Sequence, residues 1–210
     1  DSYEKEIPNS LTHIMPFFRP DELLDAAERG CVTVQLYLAK CYYLGGPQAE
    51  QDYEEAAAWF LKAAEQGSSE GQLMYGICCC NGTGAERDIK KGMGYIKKAA
   101  EAGNPKAQYV LGNCYFDGKG VRRDFKKGAE SYRKGAEGGF ADAQTAYANC
   151  CMYGNGTDQD IKEAVKWYRK AAHQGSAESQ YILGCFFRIV NGRMQDIEKA
   201  AEYFLASAEQ

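Results

Sequence analysis

The side chains best able to do chemistry in this chain are its nine cysteines. Three stand in a row at Cys78-Cys79-Cys80, and the others are Cys31, Cys41, Cys114, Cys150, Cys151 and Cys185. Thiolates could ligate a metal or haem, exchange disulfides or attack an electrophile. A second candidate is LGNCYFDGKGVRRD, Leu111–Asp124, where GKG precedes two arginines in the manner of a loop that holds phosphate. The only two histidines, His13 and His173, and paired acids such as Glu54-Glu55 are the remaining groups for proton transfer.

Spacing removes most of these. Gly67, Gly103, Gly139 and Gly175 fall 36 residues apart and close the phrases AAEQG, AAEAG, GAEGG and AAHQG, which is an internal repeat. The GKG stretch then recurs as YGICCCNGTGAERD (Tyr75–Asp88), YANCCMYGNGTDQD (Tyr147–Asp160) and LGCFFRIVNGRMQD (Leu183–Asp196), with LAKCYYLGGPQAEQD (Leu38–Asp52) one residue longer. A phosphate loop needs one glycine-rich turn between a strand and a helix, with Lys and Ser/Thr at fixed places. Lys119 is Thr83 or Asn155 in other copies, so the loop is punctuation between helices. His173 stands where other repeats carry Gln66 or Ala102, neither histidine has a motif around it, and the acid pairs stand on solvent-facing helix starts. The expectation is a chain that is not an enzyme.

Each period holds two helical phrases. In the first, Ala107, Leu111, Cys114, Tyr115 and Gly118 trace one helix face; in the second, Phe125, Gly128, Ala129, Tyr132 and Ala136 do the same. Asp52, Asp88, Asp124, Asp160 and Asp196 stand at the starts of the second helices, where a short carboxylate caps free N–H groups and opposes the positive helix end. Asp52 with Glu55 and Asp160 with Glu163 fit an acidic capping box, and Asn104-Pro105 supplies a cap with a first-turn proline. Small residues recur at Ala39, Gly76, Gly112, Ala148 and Gly184 and at Ala56, Gly92, Gly128, Ala164 and Ala200, where helices must cross closely. Large ones fill Phe60, Ile96, Tyr132, Tyr168 and Phe204 beside them, so each hairpin lays a face on the next.

The expected fold is therefore all-α, an α-solenoid of helix-turn-helix repeats. Residues 1–30 form an N-terminal segment with one capping helix near Asp21–Arg29, in which the Met and Phe of LTHIMPFFRP cover the first repeat. Residues 31–210 form five repeats, at about 31–67, 68–103, 104–139, 140–175 and 176–210. Asp1 is no initiator Met and the last helix stops before its glycine, so a longer parent chain with more repeats is expected. A formal charge of −4 and a pI near 5.4 argue against nucleic acid or an anionic membrane as partner, and no apolar run approaches the roughly 20 residues of a membrane span.

The pattern A-x-x-x-L-G-x-x-Y-x-x-G-x-G-V-x-x-D-x-x-x-A-x-x-x-x-x-x-A-A-x-x-G, matched nearly throughout by Ala107–Gly139, resembles the Sel1-like repeat, over about Val32 to Gln210. The 36-residue period favours it over the related tetratricopeptide repeat, whose period is 34. Gly135, Ser131 and Ile189-Val190 depart from the pattern, at an alanine, an aromatic and the turn glycine. The resemblance implies a right-handed superhelix that acts as a scaffold or adaptor, with the first helix of each pair lining the concave face. Outward positions on that helix are then Lys40, Ile77, Asn113, Asn149 and Cys185; Leu36, Leu73, Tyr109, Thr145 and Tyr181; and Tyr43, Cys80, Phe116, Met152 and Arg188. From these and Tyr153 comes a candidate surface for a protein or peptide: Lys40, Tyr43, Ile77, Tyr109, Asn113, Phe116, Asn149, Met152, Tyr153, Tyr181 and Arg188.

Gln35, Gln72, Gln108, Gln144 and Gln180 recur in every first helix, as an architectural amide ladder or a ligand-binding one. Cysteines at one repeat position sit on helices about 8–10 Å apart, too far for a disulfide Cα spacing of about 4.4–6.8 Å. No second helix carries a cysteine, so the disulfide pattern of the cysteine-rich branch of the resembling family is missing. The expected state is reduced thiols in a reducing, cytoplasmic compartment with no cofactor. A thiol-based metal or haem site, a regulatory subunit of an enzyme complex, and an acidic partner for the lysines of the second helices stay open beside the scaffold.

Overall fold

The computed structural model describes residues 20–45, 50–190 and 202–208, and every regular element among them is an α-helix. The chain divides into two compact units, residues 1–102 and 103–210. In the first, α1 (Pro20–Glu28) precedes the hairpins α2 (Val32–Leu44) with α3 (Tyr53–Glu65) and α4 (Ser69–Asn81) with α5 (Ile89–Glu101). In the second, α6 (Pro105–Asp117) pairs with α7 (Phe125–Glu137), α8 (Ala141–Tyr153) with α9 (Ile161–His173), and α10 (Ala177–Val190) is followed by the helical residues 202–208. The capping helix is present as α1, whereas Leu11–Arg19 and the expected cap Asp196 with Ala200 lie outside the described residues.

The caps form where carboxylates meet free N–H groups. Asp52 accepts from Glu54 N and Glu55 N at 2.9 and 3.1 Å, Asp88 from Lys91 N at 2.9 Å, Asp124 from Lys127 N at 3.1 Å and Asp160 from Glu163 N at 3.0 Å. Asn104 accepts from Ala107 N at 3.0 Å ahead of Pro105. The capping boxes close on one side only. The backbone N–H groups of Asp52 and Asp160 donate back to Tyr42 O and Cys151 O, 2.8 Å each, so they are not available to Glu55 and Glu163. Glu163 accepts instead from Trp167 Nε1 at 2.7 Å. Asp88 and Asp124 make the same backward bond to Cys79 O and Tyr115 O, which ties the start of each second helix to the end of the first.

Between those ends, the first helices stop at glycines in the left-handed region, Gly82, Gly118 and Gly154, with φ of 75°, 74° and 71°. The next turn glycine has a second duty. A Cβ on Gly84 would run into the carbonyl of Tyr53, and one on Gly156 into the carbonyl of Phe125, so each turn lies directly against the second helix of the preceding repeat.

Stacking of one repeat on the last is secured by the glutamines. Gln35 Nε2 donates to Ala27 O at 2.8 Å, Gln72 to Ala64 O at 3.5 Å, Gln144 to Ala136 O at 3.3 Å and Gln180 to Ala172 O at 3.1 Å. Each is a bond across eight residues, from a first helix to the C-terminal turn of the helix before it. The ladder is architectural at these four positions. The glutamine oxygen needs a donor too: Gln66 Nε2 reaches Gln35 Oε1 at 2.7 Å and Gln174 Nε2 reaches Gln144 Oε1 at 2.8 Å. In the second repeat that C-cap position is Ala102, and Gln72 Oε1 is buried with no partner among the described residues.

The core follows the small-and-large alternation. Phe60, Ile96, Tyr132 and Tyr168 are buried, while a Cβ on Gly112 would meet the Tyr132 ring at 2.5 Å and one on Gly76 would meet Ile96 at 2.8 Å. Gly135, a departure from the repeat pattern, has Ala143 Cβ and the Pro105 carbonyl within 2.9 Å of where its own Cβ would stand. Phe125, expected on the buried face, is 42% exposed, because the helix start projects beyond its hairpin; its ring lies beside Phe116 and under the Arg123 guanidinium. Cys78, Cys79, Cys150 and Cys151 are buried free thiols. Burial pushes the Cys78 thiol up to about 11 and Cys150 up to about 12, so both stay protonated near neutrality and pack as small apolar groups.

Two stability measurements check this description. Gly139, at φ 89° with open space around it, and Gly156, at φ 79° against the Phe125 carbonyl, share the left-handed conformation but not the neighbour. Gly139→Ala is expected to cost about 1–2 kcal/mol, and Gly156→Ala a further ~1–3 kcal/mol for displaced backbone, in urea denaturation. Ala102→Gln supplies the missing donor to Gln72 Oε1 and is expected to raise stability by about 1 kcal/mol. A fall in the denaturation midpoint would show that position 102 cannot take the place that Gln66 and Gln174 take.

Candidate partner-binding cleft

A cleft of ≈ 430 Å³ opens in the second unit, along the first helices. Tyr109 and Asn113 of α6 stand on one side and Tyr132 of α7 behind them. Asp142, Thr145, Ala146 and Asn149 of α8 cross the floor, and Gly175, Ser176, Ala177 and Glu178 close the far end at the start of α10.

The lining is set from behind by the second helices. Tyr132 Oη donates to Asn113 Oδ1 and Tyr168 Oη to Asn149 Oδ1, both at 2.6 Å. Burial drives both phenols well above the usual tyrosine range, so they stay protonated donors and each asparagine presents its oxygen to them. The Asn149 Nδ2 is thereby turned toward the next repeat, where it donates to Glu178 Oε1 at 3.3 Å. Thr145 Oγ1 bonds Ser176 Oγ at 3.1 Å, Ser179 Oγ at 2.8 Å and Ala141 O at 3.1 Å, a hydroxyl cluster that joins α8 to α10 below the floor. Tyr109 lies against Tyr132 and Phe140, with ring centroids 5.8 and 5.5 Å away.

Of the residues singled out from sequence, Tyr109, Asn113 and Asn149 come together in this cleft. Lys40, Tyr43 and Ile77 belong to the first unit. There Lys40 Nζ is ion-paired with Glu70 at 2.6 Å, Tyr43 packs edge-on against Tyr53 and Phe60, and Ile77 is half-buried. Phe116 stacks on Tyr132 at 5.1 Å and Met152 packs on the core of the second unit, so neither lines the cleft. Tyr153 is 68% exposed, Tyr181 tilts against Phe204, and Arg188 is exposed, all away from the lining. Leu73 and Thr145, expected to face outward, are buried at 2% and 4%; the helix rotation that satisfies the neighbouring Gln72 and Gln144 carries them into the inter-repeat seam.

Sequence reasoning missed Tyr132, Tyr168, Ser176 and Glu178. Tyr132 and Tyr168 were read as core alone, yet their hydroxyls reach the asparagines 19 residues earlier. A signal for Glu178 existed: Glu70 and Glu178 occupy one repeat position, and each bonds the residue that the preceding repeat offers, Lys40 or Asn149. Asp142 and Glu178 make the cleft acidic, and no lysine, arginine or histidine lines it. Among the described residues no three His, Cys, Asp or Glu side chains converge to hold a metal, which leaves the thiol-ligand reading without a gathered donor set.

Comparison with known proteins agrees with these repeats. The Sel1 repeat family model matches residues 33–68, 69–104, 105–140, 141–176 and 177–210. Among solved structures, a protective antigen of uropathogenic Escherichia coli displaying an SLR fold is 32% identical with a TM-score of 0.80, over 91% of this chain and 41% of that one. The chain thus spans less than half the length of that relative. A Sel1 repeat protein from Oxalobacter formigenes is 27% identical with a TM-score of 0.81, over 96% of this chain and 82% of that one. The cysteine rich protein B of Helicobacter pylori is 27% identical with a TM-score of 0.52, over 66% of this chain and all of that one. No curated protein matches. With five consecutive matches from residue 33 to residue 210, the chain belongs to the Sel1 repeat family.

Proposed function

We propose that this protein is a non-enzymatic scaffold that holds a protein partner in the first-helix cleft of its second unit. Sel1 repeat proteins generally mediate protein–protein interactions. The observation that supports the assignment most directly is the cleft's preparation: its asparagines and hydroxyls are already held by Tyr132, Tyr168 and Ser179, so a partner meets groups whose ordering cost is already met. Asparagine amides beside an aromatic ring suit polypeptide, which offers both hydrogen-bonding backbone and apolar side chains.

The experiment is partner capture from native lysate with the wild-type chain and two variants of equal helicity. Ala146→Arg fills the cleft without deleting any hydrogen bond described above. Lys126→Glu/Lys162→Glu reverses charge at equivalent exposed positions on α7 and α9. Ala146→Arg is expected to lose the partner, by at least about 2 kcal/mol of affinity as at other buried interface centres, while the double variant retains it. Retention by Ala146→Arg would move the binding surface elsewhere and defeat the assignment.

A further inference from the structure

From the chemistry of the lining, we infer that the cleft selects a cationic side chain of the partner, best an arginine. The inference rests on the scaffold reading above and adds the class of group recognised. Several other features fall short. The second-helix lysines are in part already paired, Lys134 with Glu130 at 3.0 Å and Lys166 with Glu163 at 3.2 Å, and the buried thiols are locked in the core. The cleft differs from these in being both a cavity and unbalanced in charge.

Its polar groups are all acceptors or neutral donors, with Asp142 and Glu178 as the only ionisable groups besides two phenols. Glu178 is exposed, and the bond from Asn149 Nδ2 holds only its Oε1; Oε2 has no partner among the described residues. The carboxylate is thus positioned by the protein and still able to accept. Lys106, the nearby cation of α6, has its Nζ 5.8 Å from the Phe140 ring and does not line the cleft. A carboxylate ligand would meet repulsion from Glu178, and an apolar one would strand the amides and hydroxyls without partners. A guanidinium meets both requirements, because its fork of N–H donors fits a carboxylate while its flat face can lie on an aromatic ring such as Tyr109. The pairing is partly desolvated by the cleft walls, which makes it stronger than the same pair on open surface.

The test is a titration of the full chain followed through the side-chain amide NMR signals of Asn113 and Asn149. The probes are three blocked pentapeptides, Gly-Gly-X-Gly-Gly with X as arginine, citrulline or glutamate. Citrulline keeps the shape and most of the donors of arginine and removes the charge. The arginine peptide is expected to shift both signals saturably and to bind about tenfold more tightly than the citrulline peptide, equivalent to 1.4 kcal/mol. Its affinity should fall as salt rises from about 50 to about 300 mM. Asp142→Asn/Glu178→Gln, which keeps an acceptor for Asn149, should erase the difference between the two peptides. Equal binding of arginine and citrulline by the wild type, an unchanged preference in the variant, or absence of any shift overturns the inference. The two readings fail separately: the titration judges charge selection, and partner capture by Ala146→Arg judges whether the cleft is the binding surface.

Discussion

Every helix ends in carbonyls that its own turns cannot satisfy. In this protein one of those carbonyls, on Ala27, Ala64, Ala136 or Ala172, is met by a glutamine amide from the helix that follows. The rest of each unit depends on that bond, because it fixes three quantities together: how near the next helix lies, where it stands along the stack and how it is rotated about its own axis. Rotation matters most. With Gln144 aimed at Ala136 O, Thr145 is committed to the seam with α10, and Asn149, one turn later, is committed to the edge of the cleft.

Repeats that share a period do not share every bond. Gln35 and Gln144 are held at both ends of the amide, whereas Gln72 is held at one, because a C-cap glutamine has become Ala102. At the corresponding place in the third repeat, Gly138 leaves room for Pro105, whose ring a Cβ would meet at 2.7 Å. The indoles diverge likewise: Trp167 Nε1 is satisfied by Glu163, and the equivalent Trp59 Nε1 is buried without a partner among the described residues. A buried polar atom without its hydrogen bond costs about 1–3 kcal/mol. Stability is therefore distributed unevenly along an array that looks regular in sequence.

Partner recognition and core packing draw on the same side chains. Tyr132 and Tyr168 bury their rings between helices and use their hydroxyls to set Asn113 and Asn149, so the interior determines what the cleft presents. Fixing an amide this way lowers the entropy lost on binding, at the expense of adaptability. Variation among Sel1 repeat surfaces then needs changes only at the few positions the core does not occupy, such as Ala146 and Glu178.

Much of this was legible in the sequence, because local effects repeat. Helix starts follow from Asp and Asn chemistry that acts within three residues, left-handed turns from glycine alone, and the crossing points from the alternation of Gly or Ala with large residues. The dismissal of GKG as a phosphate loop rested on the same periodicity, which requires no coordinates. What tertiary structure alone decided are the bonds spanning 19 to 34 residues: which acceptor each glutamine finds, that Leu73 and Thr145 turn inward, and that Glu178 completes a cleft begun by Tyr109. A helical pattern specifies which stripe is apolar, but residues at the stripe's edge change sides with some tens of degrees of rotation. That rotation is set by contacts with the neighbouring repeat, so no single helix contains it.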